Sequence, residues 1–88
     1  MYQSKISVFE EKHMLSTLLY LREHPGCNKS DLYTAVSRNP RMPEKLETLE
    51  SLGLVRLYSR QGSASTFMEL TDKGYRFADA IASADGLL

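Results

Sequence analysis

The sequence predicts one domain that is mainly α-helical with a small β-hairpin, in the order helix, helix, helix, strand, strand, helix. Three observations lead to this prediction. Apolar residues recur at helical spacing in four stretches of the 88-residue chain. Two short stretches of alternating apolar and polar residues, LVRLYSR and TFMEL, flank a polar segment that contains glycine, as in a hairpin. Glycine or proline ends the first and the third helical stretch.

The first helix is predicted within residues 10–26, where leucines recur at helical spacing and a Pro-Gly pair ends the run. Two glutamates at its start would lie at the positive end of the helix dipole. Phe9, just before them, is predicted to be a buried anchor. Residues 1–8 are compatible with a short strand, or with an earlier helix start in which Ser7 and Glu10 form a capping box.

The second and third helices carry their own start and stop signals. Asn28 and Asp31, three residues apart, predict a capping box for the second helix. The third helix has one apolar and one polar face, and two prolines near its start leave its first residue open. Gly53 is predicted to end it in a left-handed turn that leads directly into a strand, with Leu54 packing back on Leu49.

The hairpin and the last helix complete the domain. Val55 and Leu57 with Met68 and Leu70 are predicted to form the buried face of the hairpin. Thr71 is a natural N-cap for the last helix. Two short helices joined by a tight turn and followed directly by a hairpin match a helix-turn-helix with a wing.

This pattern predicts a single domain over residues 1–88. Its parts are the helix-turn-helix at about 28–53, the wing at about 54–70 and the C-terminal helix at about 71–84.

Charge is balanced overall but uneven along the chain. Eleven basic and eleven acidic residues give a net charge of zero, which argues against strong non-specific binding to nucleic acid. Residues 36–68 nevertheless carry two more basic than acidic residues, and residues 69–88 carry two more acidic than basic ones. This imbalance fits a nucleic-acid-binding middle segment, but an imbalance of this size also arises by chance.

The cellular location of the protein is predicted from the absence of a membrane-spanning segment, a signal peptide and a cysteine pair in this sequence. No apolar run approaches the roughly 20 residues of a membrane-spanning helix, and the N-terminus has no signal-peptide pattern. The single cysteine, Cys27, has no partner for an internal disulfide. We therefore expect a cytoplasmic protein that does not associate with membranes.

Three stretches, SDLYTAV, KLETLESLGLV and MELTDKGYRFAD, resemble the winged helix-turn-helix domains of the broad MarR/ArsR/PadR-like group of prokaryotic transcriptional regulators. The small archaeal members of the group look most similar, and the resemblance covers roughly residues 10–82. The residues that carry it are Leu46, Leu49, Gly53, Leu54 and Val55 at the end of the third helix, and Leu70, Thr71 and Gly74 after the wing.

The resemblance implies that the third helix enters the major groove of DNA and that the wing lies near the minor groove or the phosphates. It places Met42 on the inner side of the third helix. The candidate DNA contacts on the third helix are Asn39, Arg41, Glu44, Lys45 and Thr48. The candidate contacts on the wing and to the DNA backbone are Lys29, Arg38, Arg56, Arg60 and Ser63.

Specific chemistry can be assigned to some of these positions. Arg41 and Lys45 would read guanine, and Glu44 would accept a hydrogen bond from cytosine. The alternative for the basic residues is that they are ordinary solvated charges, and Tyr58 either contacts phosphate or packs half-buried. Three glutamates on the third helix would be repelled by phosphate, so we expect a modest affinity for the monomer.

Winged-helix regulators usually bind two half-sites as symmetric dimers. The last helix carries Tyr75, Ala78, Ile81 and Leu87, which belong either to the core or to a dimer interface. We predict a homodimer built from the terminal segments.

No pattern for catalysis or cofactor binding is present. The sequence has no nucleophile motif, no glycine-rich phosphate loop and no paired carboxylates, so it predicts a protein that is not an enzyme. His24 and Cys27 have a metal-like spacing but lack further ligands, so no metal, cofactor or small-molecule effector is predicted. Cys27 is either an inert, half-buried thiol or a redox-sensitive one whose pKa is lowered by a neighbouring helix N-terminus.

The predicted function is therefore a sequence-specific transcriptional regulator that binds double-stranded DNA as a small homodimer. The alternative is a winged-helix module that binds another protein and does not bind DNA.

Overall fold

The helices surround one face of a small antiparallel sheet in the computed structural model, which describes residues 2–88. The elements in chain order are a 3-10 helix (Lys5–Glu10), α1 (Met14–Glu23), β1 (Cys27–Asn28), α2 (Lys29–Ala35), α3 (Met42–Ser51), β2 (Val55–Ser59), β3 (Thr66–Leu70) and α4 (Asp72–Asp85). The predicted mainly helical fold and its element order are confirmed. None of the helices in this part of the chain is long and apolar enough to cross a membrane.

The N-terminal segment differs from both predicted alternatives. It is a 3-10 helix in which the Ser4 N–H donates to Ser7 Oγ at 3.1 Å and the Ser7 N–H donates to Ser4 O at 3.1 Å. α1 begins only at Met14, because His13 adopts a left-handed conformation with φ of 70°. The two glutamates expected in the first turn of α1 therefore lie before the helix. Phe9 is buried as predicted, and its ring stacks on that of Phe77 at 4.7 Å.

The predicted capping box at the start of α2 is confirmed. Asn28 Oδ1 accepts from the Asp31 N–H at 2.8 Å, and Asp31 Oδ2 accepts from the Asn28 N–H at 3.2 Å. These two bonds use N–H groups that have no partner within the helix. α2 is short and contributes Leu32 to the core.

The end of α3 follows the sequence prediction closely. Gly53 has φ of 76°, the left-handed region in which glycine carries no Cβ penalty. The Leu54 N–H donates to Leu49 O at 3.1 Å and the Gly53 N–H donates to Glu50 O at 2.9 Å. This pair of bonds is the Schellman motif, and the buried Leu54 and Leu49 supply its apolar contact. The chain passes from helix to strand without a linker.

The sheet has three strands in the order β1-β3-β2, one more than the predicted hairpin. In the hairpin, Val55 pairs with Leu70 and Leu57 with Met68. Val55, Met68 and Leu70 are buried and Leu57 is half-buried against the core, so the predicted inner face is confirmed. The additional strand, β1, pairs Cys27 with Met68 at the other edge of β3. A strand of two residues is too short for an alternating pattern, so the sequence carried no signal for it.

The core lies between this inner face and the helices. Its fully buried side chains include Met14, Leu18, Leu21, Leu32, Met42, Leu46, Leu49 and Met68. α4 packs along α1, and an exposed ion pair joins the two helices, with Arg22 Nε at 2.7 Å from Asp79 Oδ1.

The first turn of α4 is fastened to the end of α3, and we call this connection the α3–α4 joint. Thr71 caps α4 by accepting the Gly74 N–H at 3.0 Å, as predicted. The Thr71 N–H donates to Leu54 O at 3.0 Å, and its hydroxyl donates to Gly53 O. Lys73 Nζ donates to Leu52 O at 2.7 Å. The joint therefore satisfies three successive carbonyls after α3, which otherwise lack helical partners.

Candidate nucleic-acid interface

α3 presents its polar face to solvent at its N-terminal end. Met42 is fully buried on the inner side, as the resemblance implies. The Arg41 and Glu44 side chains are 77% and 72% exposed, with Arg41 Nε at 3.7 Å from Glu44 Oε2. At this exposure the ion pair is weak, so both side chains remain available to a ligand.

Lys45 is placed differently from the predicted outward position. Its side chain is only 10% exposed, and Nζ lies 3.9 Å from Glu11 Oε1 in the segment before α1. The turn of chain that precedes α1 thus covers this side of α3. Thr48 is half-buried beside it, and its hydroxyl donates to Glu44 O at 3.0 Å. A contact from Lys45 to a base would require release of Glu11.

The loop before α3 holds two further predicted residues. Asn39 Oδ1 accepts from the Arg41 N–H at 2.8 Å and Asn39 O accepts from the Met42 N–H at 3.0 Å, so this asparagine shapes the start of α3. Arg38 is exposed and its Nη2 donates to Thr34 Oγ1 at 2.9 Å. Among residues 2–88, no carboxylate lies within 4.0 Å of Arg38.

The remaining side of α3 is acidic. Glu44 and Glu47 are exposed and face solvent. Glu50 turns toward the wing, where its Oε2 accepts from the Leu57 N–H at 3.3 Å. Glu50 therefore supports the edge of β2, but it is also exposed, so all three carboxylates of α3 oppose the approach of phosphate.

The outer face of the sheet carries stacked arginines and aromatic rings. We call Arg56, Tyr58, Arg60 and Phe67 the stacked face. The Arg56 guanidinium lies 4.5 Å from the centroid of the Tyr58 ring, and its Nε donates to Glu69 Oε1 at 3.0 Å. Glu69 is the residue paired with Arg56 across the hairpin. Arg56 is therefore a wing residue, as predicted, but its charge is shared with a carboxylate.

Arg60 is held on the same face by several contacts. Its guanidinium lies 4.0 Å from the centroid of the Phe67 ring. Its Nη2 is 3.3 Å from both Gly26 O and the Tyr58 hydroxyl oxygen. No carboxylate of the described residues comes within 4.0 Å of it. Sequence reasoning placed Arg60 on the wing but missed the stack, because the ring beneath it comes from the opposite strand.

The wing tip and the start of α2 hold the last predicted contacts. The tip turns at Gly62, with φ of 83°, and Ser63 Oγ accepts from the Ser65 N–H at 3.2 Å. Ser63 is exposed there, and Lys29 is half-buried in the first turn of α2. Lys29 directly follows Asn28, whose partner in the sheet is Phe67.

The candidate dimer residues fall into two groups. Ala78 is 0% exposed within the chain itself, so it belongs to the core and offers no surface to a second copy. The prediction that Ala78 lies in a dimer interface is corrected, because its side chain is already covered by the rest of the chain. Tyr75 and Ile81 are half-buried, and Leu87 is 88% exposed. An open groove between α1 and α4 is lined in part by Leu15, Leu19, Ile81 and Leu88.

Cys27 lies in β1 and its thiol is buried. Burial raises its pKa, and the nearby Asp31 carboxylate raises it further. The raised pKa favours the inert, half-buried thiol over the redox-sensitive alternative. Within the described part of the chain, no three potential metal ligands cluster around Cys27 or elsewhere.

The fold and the site define a winged helix-turn-helix domain of the kind found in MarR-like transcription regulators. The chain is similar to MepR of Staphylococcus aureus in its DNA-binding conformation, with 27% identity and a TM-score of 0.76 over 90% of this chain and 61% of MepR. The MepR–DNA complex matches with 24% identity and a TM-score of 0.75, over 93% of this chain and 63% of that one. The chain thus spans about three fifths of the length of MepR.

A second similar structure is AF1382 from Archaeoglobus fulgidus. It has 17% identity and a TM-score of 0.77, and the match covers 96% of both chains. No protein-family model and no curated protein sequence matches the chain. MepR is a transcription regulator, which agrees with the prediction that this chain is not an enzyme.

Proposed function

We propose that this chain is a transcription regulator that binds double-stranded DNA sequence-specifically as a homodimer. The observation that carries the proposal is the exposure of Arg41 at the start of α3, in a fold shared with MepR, which has been crystallised with DNA. An exposed arginine at the N-terminal end of a recognition helix is well suited to a bidentate contact with guanine. Glu44, one turn further on, suits a contact with the amino group of cytosine.

The backbone contacts come from neighbouring elements. Lys29 begins α2 and Arg38 follows it, whereas Arg56, Arg60 and Ser63 lie on the wing. Contacts to phosphate position the protein on the duplex but carry no base information. With three exposed carboxylates on α3, one domain binds modestly. Two linked domains that read half-sites about 34 Å apart provide the useful affinity.

The groove between α1 and α4 is the proposed dimer surface. Leu15 is 40% exposed and Leu88 is fully exposed at this groove, and exposed apolar surface of this kind favours contact with a partner. We expect Leu15→Glu to convert a dimer to a monomer in analytical ultracentrifugation, because a second copy would bury this position. Lys12→Glu, a change of an exposed residue just before α1, is the control and leaves the dimer intact. A wild-type chain that sediments as a monomer at all concentrations contradicts the dimer and leaves DNA binding untouched.

DNA binding is tested by NMR titration of ¹⁵N-labelled protein with a mixed-sequence duplex at low salt. We expect chemical-shift changes concentrated at residues 39–48 and 56–66, reversed by added salt because phosphate contacts release counterions. Arg76→Gln, an exposed charge removal on α4, serves as the matched control and leaves the titration unchanged. The absence of shifts at tens of micromolar DNA refutes the proposal.

A second candidate function is binding of another protein through α3. The exposed Glu44 and Glu47 favour it, because they complement a basic partner better than a phosphate backbone. Removal of a carboxylate separates the two: Glu47→Gln is expected to weaken binding of a basic protein partner, whereas it leaves unchanged or strengthens binding of a DNA duplex, whose phosphates repel the carboxylate.

A further inference from the structure

We propose that Glu11 restrains DNA binding by holding the ammonium of Lys45, so that a lysine of the recognition helix is withheld from phosphate. This inference rests on the proposed DNA-binding function and adds to it a regulatory residue that lies outside both α3 and the wing. Glu11 acts through Lys45 and is therefore a positioning residue, with no contact to DNA of its own.

Glu11 lies on the same surface as the polar side of α3. Its side chain lines a surface recess together with Arg41, Glu44, Lys45 and Thr48. These four residues belong to α3 or to its N-cap. DNA that approaches the exposed guanidinium of Arg41 therefore also approaches Glu11 and the ammonium that it holds.

The backbone of Glu11 is held in place from both sides. Two residues before it, Phe9 is buried and its ring stacks on that of Phe77 in α4 at 4.7 Å. Two residues after it, His13 O accepts from the Thr17 N–H at 3.0 Å and from the Thr17 hydroxyl at 2.6 Å. Between these two anchors the backbone stays beside α3, and rotation of the Glu11 side chain is the motion that moves its carboxylate.

The ion pair is loose enough to be exchanged for another. Lys45 Nζ lies 3.9 Å from Glu11 Oε1, longer than a charge-assisted hydrogen bond, and the Glu11 side chain is 58% exposed. A phosphate oxygen is a second acceptor for the same ammonium, so DNA and Glu11 compete for Lys45. Glu11 has the advantage in this competition, because an acceptor on the same chain is always present at a high effective concentration.

The consequence is a domain that depends more on base contacts. Non-specific affinity for DNA comes from phosphate contacts, and each lysine withheld from phosphate lowers it. Arg41 remains exposed and available to a base. Glu11 therefore raises the ratio of specific to non-specific binding, which is the quantity that matters for a regulator among many competing sites.

The test measures the Kd of a labelled mixed-sequence duplex by fluorescence anisotropy over a series of salt concentrations. Glu11→Gln keeps the size of the side chain and removes its charge. It is expected to lower Kd about fivefold at low salt and to steepen the slope of log K against log salt by about 0.9, the contribution of one additional phosphate contact. A role of Glu11 in folding alone would not change this slope.

Glu10→Gln is the matched control. Glu10 is the preceding residue and is exposed, and among residues 2–88 no basic group lies within 4.0 Å of its carboxylate. This variant removes the same charge from the same segment, and we expect it to change Kd by less than about twofold with an unchanged slope. In a Lys45→Met background, which keeps the apolar stem of that side chain, Glu11→Gln is expected to have no larger effect than Glu10→Gln.

The outcomes separate this inference from the proposed function. If neither the wild type nor Glu11→Gln binds the duplex, the proposed function is contradicted and the inference falls with it. If the wild type binds and Glu11→Gln shows the same Kd and slope, DNA binding stands and the restraint by Glu11 is overturned. The restraint is also overturned if Glu10→Gln reproduces the effect or if the gain persists in the Lys45→Met background, because Glu11 then acts by general charge repulsion.

Discussion

Replacement of Gly74 by alanine tests the α3–α4 joint directly. Gly74 is buried in the first turn of α4. A Cβ at this position would lie 2.0 Å from Leu54 O, 3.0 Å from Leu54 C and 3.2 Å from Leu70 Cβ. The nearest atoms belong to the backbone, so no side-chain rotation relieves the clash. The first turn of α4 must move away from the chain that follows α3.

The expected change in the free energy of unfolding is the sum of one stabilising and two destabilising contributions. Alanine in place of glycine favours a helix by up to about 1 kcal/mol. Overpacking costs about 1–3 kcal/mol, and each hydrogen bond of the joint that lengthens costs about 1 kcal/mol. The bonds at risk are those from the Thr71 N–H and hydroxyl and from Lys73 Nζ. We expect a net loss of about 2–4 kcal/mol, which lowers the Tm of a domain of this size by about 10–20 °C.

Urea unfolding followed by circular dichroism measures this loss. Gly86→Ala is the matched control, since its Cβ would meet nothing closer than Ser83 O at 3.5 Å and its φ is −65°. The control is expected to change the free energy of unfolding by less than about 0.5 kcal/mol. If Gly74→Ala is as stable as the wild type, or more stable by the full helix propensity of alanine, the close approach of α4 to Leu54 is wrong.

Three further predictions concern the ends of helices and the buried thiol. Gly53→Ala is expected to lower the free energy of unfolding by about 1–2 kcal/mol, from left-handed backbone strain alone. This loss is smaller than that of Gly74→Ala, because no atom outside the chain neighbours lies nearer than 3.9 Å to the added Cβ. Equal losses for the two variants in urea unfolding would contradict this expectation. Asn28→Ala removes the α2 cap and is expected to cost about 1 kcal/mol, with Ser30→Ala as an unfolding control that stays near wild type. The raised pKa of Cys27 favours the neutral thiol in the folded state, so its stabilisation is complete below the ordinary value of 9.0 and is lost as pH rises through the raised pKa. Unfolding measured between pH 8 and 10 should therefore show a weaker decline for Cys27→Ala than for the wild type, and identical slopes would refute the assignment.

Signals that act over a few residues predicted the fold well. Gly53 ends α3 as expected because a left-handed turn with a following leucine is a local arrangement. Asn28 and Thr71 cap their helices because the partner N–H groups lie three residues further along the chain. The inner face of the hairpin follows from alternation and from a short tip, which together set the register.

Contacts between distant segments were beyond sequence reasoning. β1 forms by pairing with β3, whose residues lie about 40 positions further along the chain. The sequence pattern predicts Lys45 as an outward residue of α3. In the structure its side chain is largely covered and lies beside Glu11, a residue 34 positions earlier. Arg60 is recognisable as a wing residue, but the ring that fixes it belongs to the opposite strand. The sequence therefore identified candidate DNA contacts on α3 and the wing by residue type and position. Which side chains contact one another, and which are exposed, became evident only from the structure.

The α3–α4 joint also couples the orientation of α4 to that of α3. With 14 residues, α4 is about 21 Å long. Because the joint clamps its first turn to the end of α3, a rotation of about 10° at the joint corresponds to a displacement of about 4 Å at the far end of α4. In a dimer held through the far end of α4, small changes of packing there alter the distance between the two α3 helices. In such a dimer, the rigidity of the α3–α4 joint would determine how closely the spacing of the two recognition helices follows the dimer contact.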